Sequence, residues 1–391
     1  MQLDQNDRIG GPLRKQWALG PIVGLITSIL LVCGGLYFYR DIEGLLNYGK
    51  QTAANSFNGD RNTDFGPVYR HLAIAPLEAN IAYQSDVQVA LKRLRAEDCD
   101  RNGIFQLSRA LEQAGKIRIA AQALEGFAAA CRNTDGELYR AADLYFALGD
   151  YDKAAALGDQ LIKASPYNGQ IQYLRGQASN AKEQWAEALP FYINAIELLG
   201  SPKDINATVF TQLANIYDHL GRTCDAITAI QTWVLADPAS RDGPQTRKMV
   251  NDFSKKGKCD SDTARGVEHV PKSSDGVMLV KAQVNDIGGT FIVDTGATFV
   301  SLTRDFAKRA KVDISGANAV SLQTANGQIT ADLGIASSVK LGHAQAKKVA
   351  LVVQEPSLGK GVDGLLGMSF LARFNVTVTD KELQLKAMNA P

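Results

Sequence analysis

The feature that most constrains the fold of this chain is a period. Ala120, Ala154 and Ala188 recur every 34 residues, and Ala226 follows 38 residues later. Gly115, Gly149, Glu183 and Gly221 stand five residues before these alanines, Tyr145 and Tyr217 stand nine residues before the second and the last, and Pro166 and Pro238 close two of the units. Small residues at a fixed interval in a helical pattern mark points where two helices approach too closely for a larger side chain, and a glycine between the helices permits a tight turn. A unit of that size cannot bury its apolar face alone, so successive units must stack.

This period, with its turn glycines, resembles tetratricopeptide repeats. The clearest units are residues 137–166, 170–199 and 206–238, and Glu183 in place of the turn glycine departs from the pattern in the middle one. The resemblance implies an all-α helical-repeat solenoid over residues 99–259, with a concave surface able to hold a protein partner or peptide.

The C-terminal third reads differently. Residues 277–285 alternate as a strand, Asp286 to Gly289 read as a turn, and the next strand runs into Asp294-Thr295-Gly296-Ala297. Downstream, β-forming runs flank Asn326-Gly327, a strong hairpin signal. An apolar segment, Gly364-Leu365-Leu366-Gly367, comes about seventy residues after the Asp-Thr-Gly. These elements, in this order, resemble the retropepsin-like aspartic proteases. The resemblance implies a C-terminal all-β acid-protease domain over residues 276–391. Asp294 would be the catalytic carboxylate, Thr295 and Gly296 the supporting loop, and Asn326 and Gly327 the tip of a flap over substrate. Val300, Leu322 and Ile329 are expected to line an apolar pocket. Ala297 stands where pepsin-like enzymes often carry Ser, and losing that donor to the carboxylate should favour its neutral form.

One aspartate cannot perform the reaction. Hydrolysis without a covalent intermediate needs a base to activate water and an acid to protonate the substrate, and two adjacent carboxyls sharing a proton provide both. No second motif is present: Val362-Asp363-Gly364 lacks the Thr or Ser, and Val378-Thr379-Asp380-Lys381 lacks the glycine. The missing carboxyl is therefore expected from Asp294 of a second copy, in a two-fold homodimer.

Residues 17–39 carry no charge and are long enough to span a bilayer. Arg8, Arg14 and Lys15 precede them, which orients a cytoplasmic N-terminus (residues 1–16) and sends the rest across. The expected location is a bacterial inner membrane, with a single pass and the bulk of the chain in the periplasm. Cys99, Cys131, Cys224 and Cys259 fit this side of the membrane. Bridges Cys99–Cys131 and Cys224–Cys259, one of three connectivities, would each join the ends of a helical hairpin.

A formal net charge of +1 and the lack of a basic, aromatic-interleaved cluster argue against a nucleic-acid partner. His71, His219, His269 and His343 have no metal-ligand spacing, so neither metal nor cofactor is expected. The chain thus reads as multidomain: anchor, partly helical juxtamembrane region (40–98), solenoid, linker (260–275) and β domain. The function expected is a membrane-anchored aspartic endopeptidase whose repeats recruit substrate or a regulator. The alternative is an envelope scaffold using the repeats for binding and an inert protease-like fold for dimerisation.

Overall fold

A computed structural model describes residues 64–200, 202–257, 264–272, 277–314, 319–324, 327–355 and 358–387. The expected N-terminal segment and anchor, Cys259 and Asn326 lie outside the described residues.

Three helices, α1 (Gly66–His71), α2 (Ala79–Ala82) and α3 (Ser85–Ala96), precede four helix pairs. These are α4 (Arg101–Gln113) with α5 (Ile117–Ala130), and α6 (Asp135–Ala147) with α7 (Tyr151–Ala164). Then come α8 (Gly169–Ala181) with α9 (Trp185–Leu198), and α10 (Ala207–His219) with α11 (Thr223–Ala236). Helices α12 (Pro238–Arg241) and α13 (Pro244–Gly257) end the helical part. The periodic residues do the work their spacing implies. Ala120, Ala154, Ala188 and Ala226 are all 0% exposed. Gly115, Gly149 and Gly221 take left-handed backbone at φ 72°, 74° and 71°, and Glu183 is held there too, at φ 59°.

The first helix in three of the four pairs starts at a side chain that satisfies free amides. Asp100 accepts from the amides of Asn102 and Gly103 at the head of α4, and Asn168 and Asn206 do the same for α8 and α10. The solenoid begins earlier than its period indicates. Phe65, Leu72 and Leu91 share one core with Leu107, Leu124 and Tyr145. A β-carbon on Gly126 would lie 1.9 Å from the Leu72 carbonyl oxygen, so the chain after α1 rests directly on α5. The described residues from 65 to 98, expected to belong to a juxtamembrane linker, are therefore the first layer of the stack. Their packing is long-range, which a repeat period cannot register.

The β domain comprises β1 (Ala264–Arg265), β2 (Val267–Pro271), β3 (Leu279–Val284), β4 (Ile287–Val293), β5 (Val300–Thr303) and β6 (Ala319–Thr324). It continues with β7 (Gly327–Leu341), β8 (Ala344–Gln354), β9 (Gly364–Leu366), β10 (Phe374–Val378) and β11 (Glu382–Ala387). Two short helices, α14 (Arg304–Arg309) and α15 (Met368–Leu371), interrupt them. Eight strands form a sheet in the order β1-β8-β5-β9-β4-β3-β7-β6, and an additional β7–β8 pairing curls it on itself. A second sheet has the order β10-β11-β2.

Three expectations need correcting. The segment 260–275 is not simply a linker: β1 pairs with β8, and β2 pairs with β11. Gly266 sits between them at φ 92°, where a β-carbon would meet the His343 carbonyl oxygen at 1.8 Å, so the β domain starts before residue 276. The first hairpin turns at Asn285 and Asp286, at φ 50° and 64°, because Val284 pairs with Ile287. Asn and Asp tolerate this geometry, and Gly288 and Gly289 fall inside the strand. In the second hairpin Thr324 pairs with Gly327, so Gly327 opens β7 instead of forming the tip.

The solenoid and the β domain are not joined only by the chain. Tyr192, Ile196, Phe210 and Ile230 of the last helix pairs form one core with Phe299, Val320, Leu322 and Val352. Asn194 of α9 accepts the Ser321 amide at 2.7 Å, covering the edge strand β6. Among the described residues no helix is long and apolar enough to cross a membrane.

Candidate active site

Asp294 follows β4, where the strand opens into a turn. Its Oδ1 accepts the Gly296 amide at 2.8 Å, and its own amide donates to the Leu366 carbonyl at 3.1 Å. The loop is seated on the segment after β9. Met368 and Ser369 donate their amides to the Ala297 and Thr298 carbonyls, each at 2.8 Å, and the Ser369 hydroxyl oxygen accepts the Val300 amide at 2.8 Å. This explains the glycines of the apolar segment. A β-carbon on Gly367 would lie 2.1 Å from the Phe299 carbonyl oxygen, and one on Gly364 2.4 Å from that of Ser301. β9 runs parallel to β4 and antiparallel to β5, so both flanks of the Asp294 loop are anchored to it.

Asp294 is half-buried, whereas Thr295 and Gly296 are exposed. Asp363 has a different task. It accepts the Thr290 amide at 2.9 Å and pairs with Arg309 at 2.6 Å, which locks β9 beside β4.

A cleft of about 680 Å³ opens beside Asp294. Leu322 and Ile329 line it, as expected, together with Val352 and Leu365. Val300 does not: it is fully buried in the core of the β domain. Gly327 lies in the hairpin bordering the cleft, while Asn326 is outside the described residues. The cleft also contains a residue that sequence reasoning passed over, Glu197 of α9. No local motif marks it, since only the docking of the solenoid brings it there.

Elsewhere, Cys99 and Cys131 are joined in a disulfide. Cys224 is also disulfide-bonded, and its expected partner, Cys259, is not among the described residues. His71 lies near the Cys99–Cys131 pair, but those sulfurs are bonded to each other and are not free thiolates for a metal. His219 stacks on Trp185 at 4.1 Å, and His269 faces Glu382 at 3.3 Å.

Comparison with known proteins agrees with the reading of the β region. Residues 280–370 match a family described as aspartyl protease. An uncharacterized protein of Rickettsia prowazekii (strain Madrid E) is 35% identical over 115 residues, which is 29% of this chain and 48% of that protein. The chain thus spans about half the length of the curated relative it matches. A solved retropepsin-like aspartic protease from Rickettsia conorii is 29% identical, with 31% of this chain and 90% of that one covered and a TM-score of 0.25. A thermophilic TPR protein of Thermus thermophilus is 16% identical, with 42% and 87% covered and a TM-score of 0.32. The chain combines the helix pairs of its own fold with a β region that matches an aspartyl protease family.

Proposed function

We propose that this protein is a membrane-anchored aspartic endopeptidase of extracytoplasmic proteins, with an active site built from the Asp294 carboxyls of two copies. One observation carries the reading: a carboxylate at a strand end, fixed by the Gly296 amide and seated through paired backbone hydrogen bonds on the segment after β9. That arrangement holds the carboxyl still while leaving Thr295 and Gly296 exposed for a partner loop.

In the dimer, one Asp294 carboxylate takes a proton from water as the water oxygen bonds to the scissile carbonyl carbon. The other Asp294 carboxyl gives its proton to the carbonyl oxygen. As the tetrahedral adduct collapses and the C–N bond breaks, the first Asp294 gives the proton it took from water to the departing nitrogen. The second takes one back from a hydroxyl of the adduct, which leaves an acid, an amine and the original pair. The apolar segment 17–39 supports a bilayer anchor, and the Cys99–Cys131 bond supports an oxidising compartment. Confinement to a membrane raises the effective concentration of two copies, so a small dimer interface suffices. The repeats would present substrate or a regulator to the cleft.

The test is cleavage of unfolded protein substrates by full-length protein in detergent, with products read by mass spectrometry. The wild type should cut, and folded Asp294→Asn should not. Equal behaviour of the two would favour the scaffold reading, in which the β domain only associates.

A further inference from the structure

The cleft beside Asp294 is not built from the β domain alone. Glu197 lies in the last turn of α9 and forms part of its wall next to Thr298. Thr298 lines the cleft beside the Glu197 carboxyl. Oε1 of that carboxyl is closed off from solvent and has no hydrogen-bond partner. The side chain as a whole is only half-buried, so it is this sheltered oxygen, not the stem, that lacks compensation.

Two features of this placement oppose a carboxylate. The C-terminal end of a helix carries partial negative charge and disfavours an anion. Burial pushes the carboxyl up to about 7, and the neighbouring Thr298 only partly opposes it. A glutamine would fill the same space without the charge. Asp294 and Glu197 are the only charged side chains among the described residues lining the cleft, and both are acidic. A cleft walled by two carboxyls, with no basic side chain among its described lining residues, attracts a cation from outside.

Both carboxyls line one cleft, so a cation that meets Glu197 can belong to the substrate whose bond lies at Asp294.

We propose that Glu197 is a specificity-determining residue, accepting the lysine or arginine side chain of a substrate residue near the scissile bond. The inference rests on the peptidase reading above. It gives the helical repeats a direct part in substrate choice: they supply one wall of the cleft. The substrate's cation pairs with the Glu197 carboxyl at the wall of the cleft and offsets the cost of ionising it there.

Two measurements on the full-length protein keep this inference separate from the reading it rests on. The first compares kcat/KM for fluorogenic peptides bearing Lys, Arg, norleucine or Glu at each position near the cut. The wild type should prefer Lys or Arg over norleucine at one position by about tenfold, the ratio expected of one sheltered charge pair. Glu197→Gln should bring that ratio to about one, and Glu197→Lys should reverse it toward Glu. The second measures fluorescence anisotropy of the same peptides on Asp294→Asn, with and without Glu197→Gln, and needs no turnover. Tighter binding of the Lys peptide, lost on Glu197→Gln, supports the subsite even if no peptide is cut. Asp294-dependent cleavage with no Lys or Arg preference, or a preference that survives Glu197→Gln, would overturn it. So would Lys and norleucine peptides binding equally to Asp294→Asn.

Discussion

Arg373, just after α15, donates to Asp225 of α11 at 2.5 Å, and the two are only 7% and 8% exposed. This ion pair joins the β domain to the solenoid inside the protein. Burial pulls the Arg373 guanidinium below its ordinary range, and the Asp225 charge pushes it back up. Arg222, stacked on Tyr217, holds the other Asp225 oxygen at 2.8 Å. Removing one partner strands a buried charge. Asp225→Asn should cost about 3–5 kcal/mol in denaturant unfolding, whereas Asp225→Leu combined with Arg373→Met should cost much less. The repeats and the β domain should then unfold in one transition in the wild type.

Glu197 makes stability fall as pH rises. Its carboxyl titrates near 4.5 in the unfolded chain and is pushed up to about 7 in the folded one. Below the lower value both states are protonated and nothing is lost. Between the two, the folded state holds a proton that the unfolded state has released, so each step up in pH destabilises the fold. Above about 7 the full penalty applies, on the order of 3 kcal/mol. Glu197→Gln should abolish this slope and be more stable than the wild type at pH 8, as seen in urea titrations at several pH values.

Glu183 occupies the turn position that Gly115, Gly149 and Gly221 fill in the other units, and its φ of 59° strains a residue bearing a β-carbon. Glu183→Gly should therefore stabilise the solenoid by about 0.5–1 kcal/mol, even though glycine usually destabilises. A fall in the midpoint of thermal unfolding would contradict this.

The Cys99–Cys131 bond spans 32 residues and ties the start of α4 to the end of α5. Cys99→Ser with Cys131→Ser should cost about 2–4 kcal/mol, measured by chemical denaturation without reductant.

Gly367→Ala tests the seat of the Asp294 loop. Its β-carbon would lie within 2.1 Å of one backbone oxygen and 2.6 Å of another, those of Phe299 and Ala297. Backbone cannot yield as a side-chain tip can, so the loop must shift. Peptide cleavage should fall by about 10²-fold or more while helical content is retained.

Much of this was readable from residues alone, because the signals were local. Ala120, Ala154, Ala188 and Ala226 are buried where their period puts them, and Asp294 stands at a strand end because β-formers run into Asp-Thr-Gly. Even the irregular Glu183 was flagged by its register. What escaped depends on contacts between distant segments. Glu197 looks like any solvated acid late in a helix until β6 and Thr298 are packed against it. Arg373 and Asp225 are 148 residues apart. Val267 and Val270 were hidden in a polar stretch, and their strand exists because β11 offers it an edge. Val300 was misplaced into the cleft because alternation tells which residues share a face, but not which face is the core.

The central claim is that each active site needs Asp294 from two copies, and subunit mixing tests it most directly. A fixed amount of wild type is equilibrated with increasing Asp294→Asn in the same micelles, and peptide cleavage is followed. If the site is shared, a tenfold excess of the variant leaves about a tenth of the starting activity, since nearly every wild-type chain is then paired with an inactive one. If activity stays at its initial value whatever the excess, each chain works alone and the account is wrong.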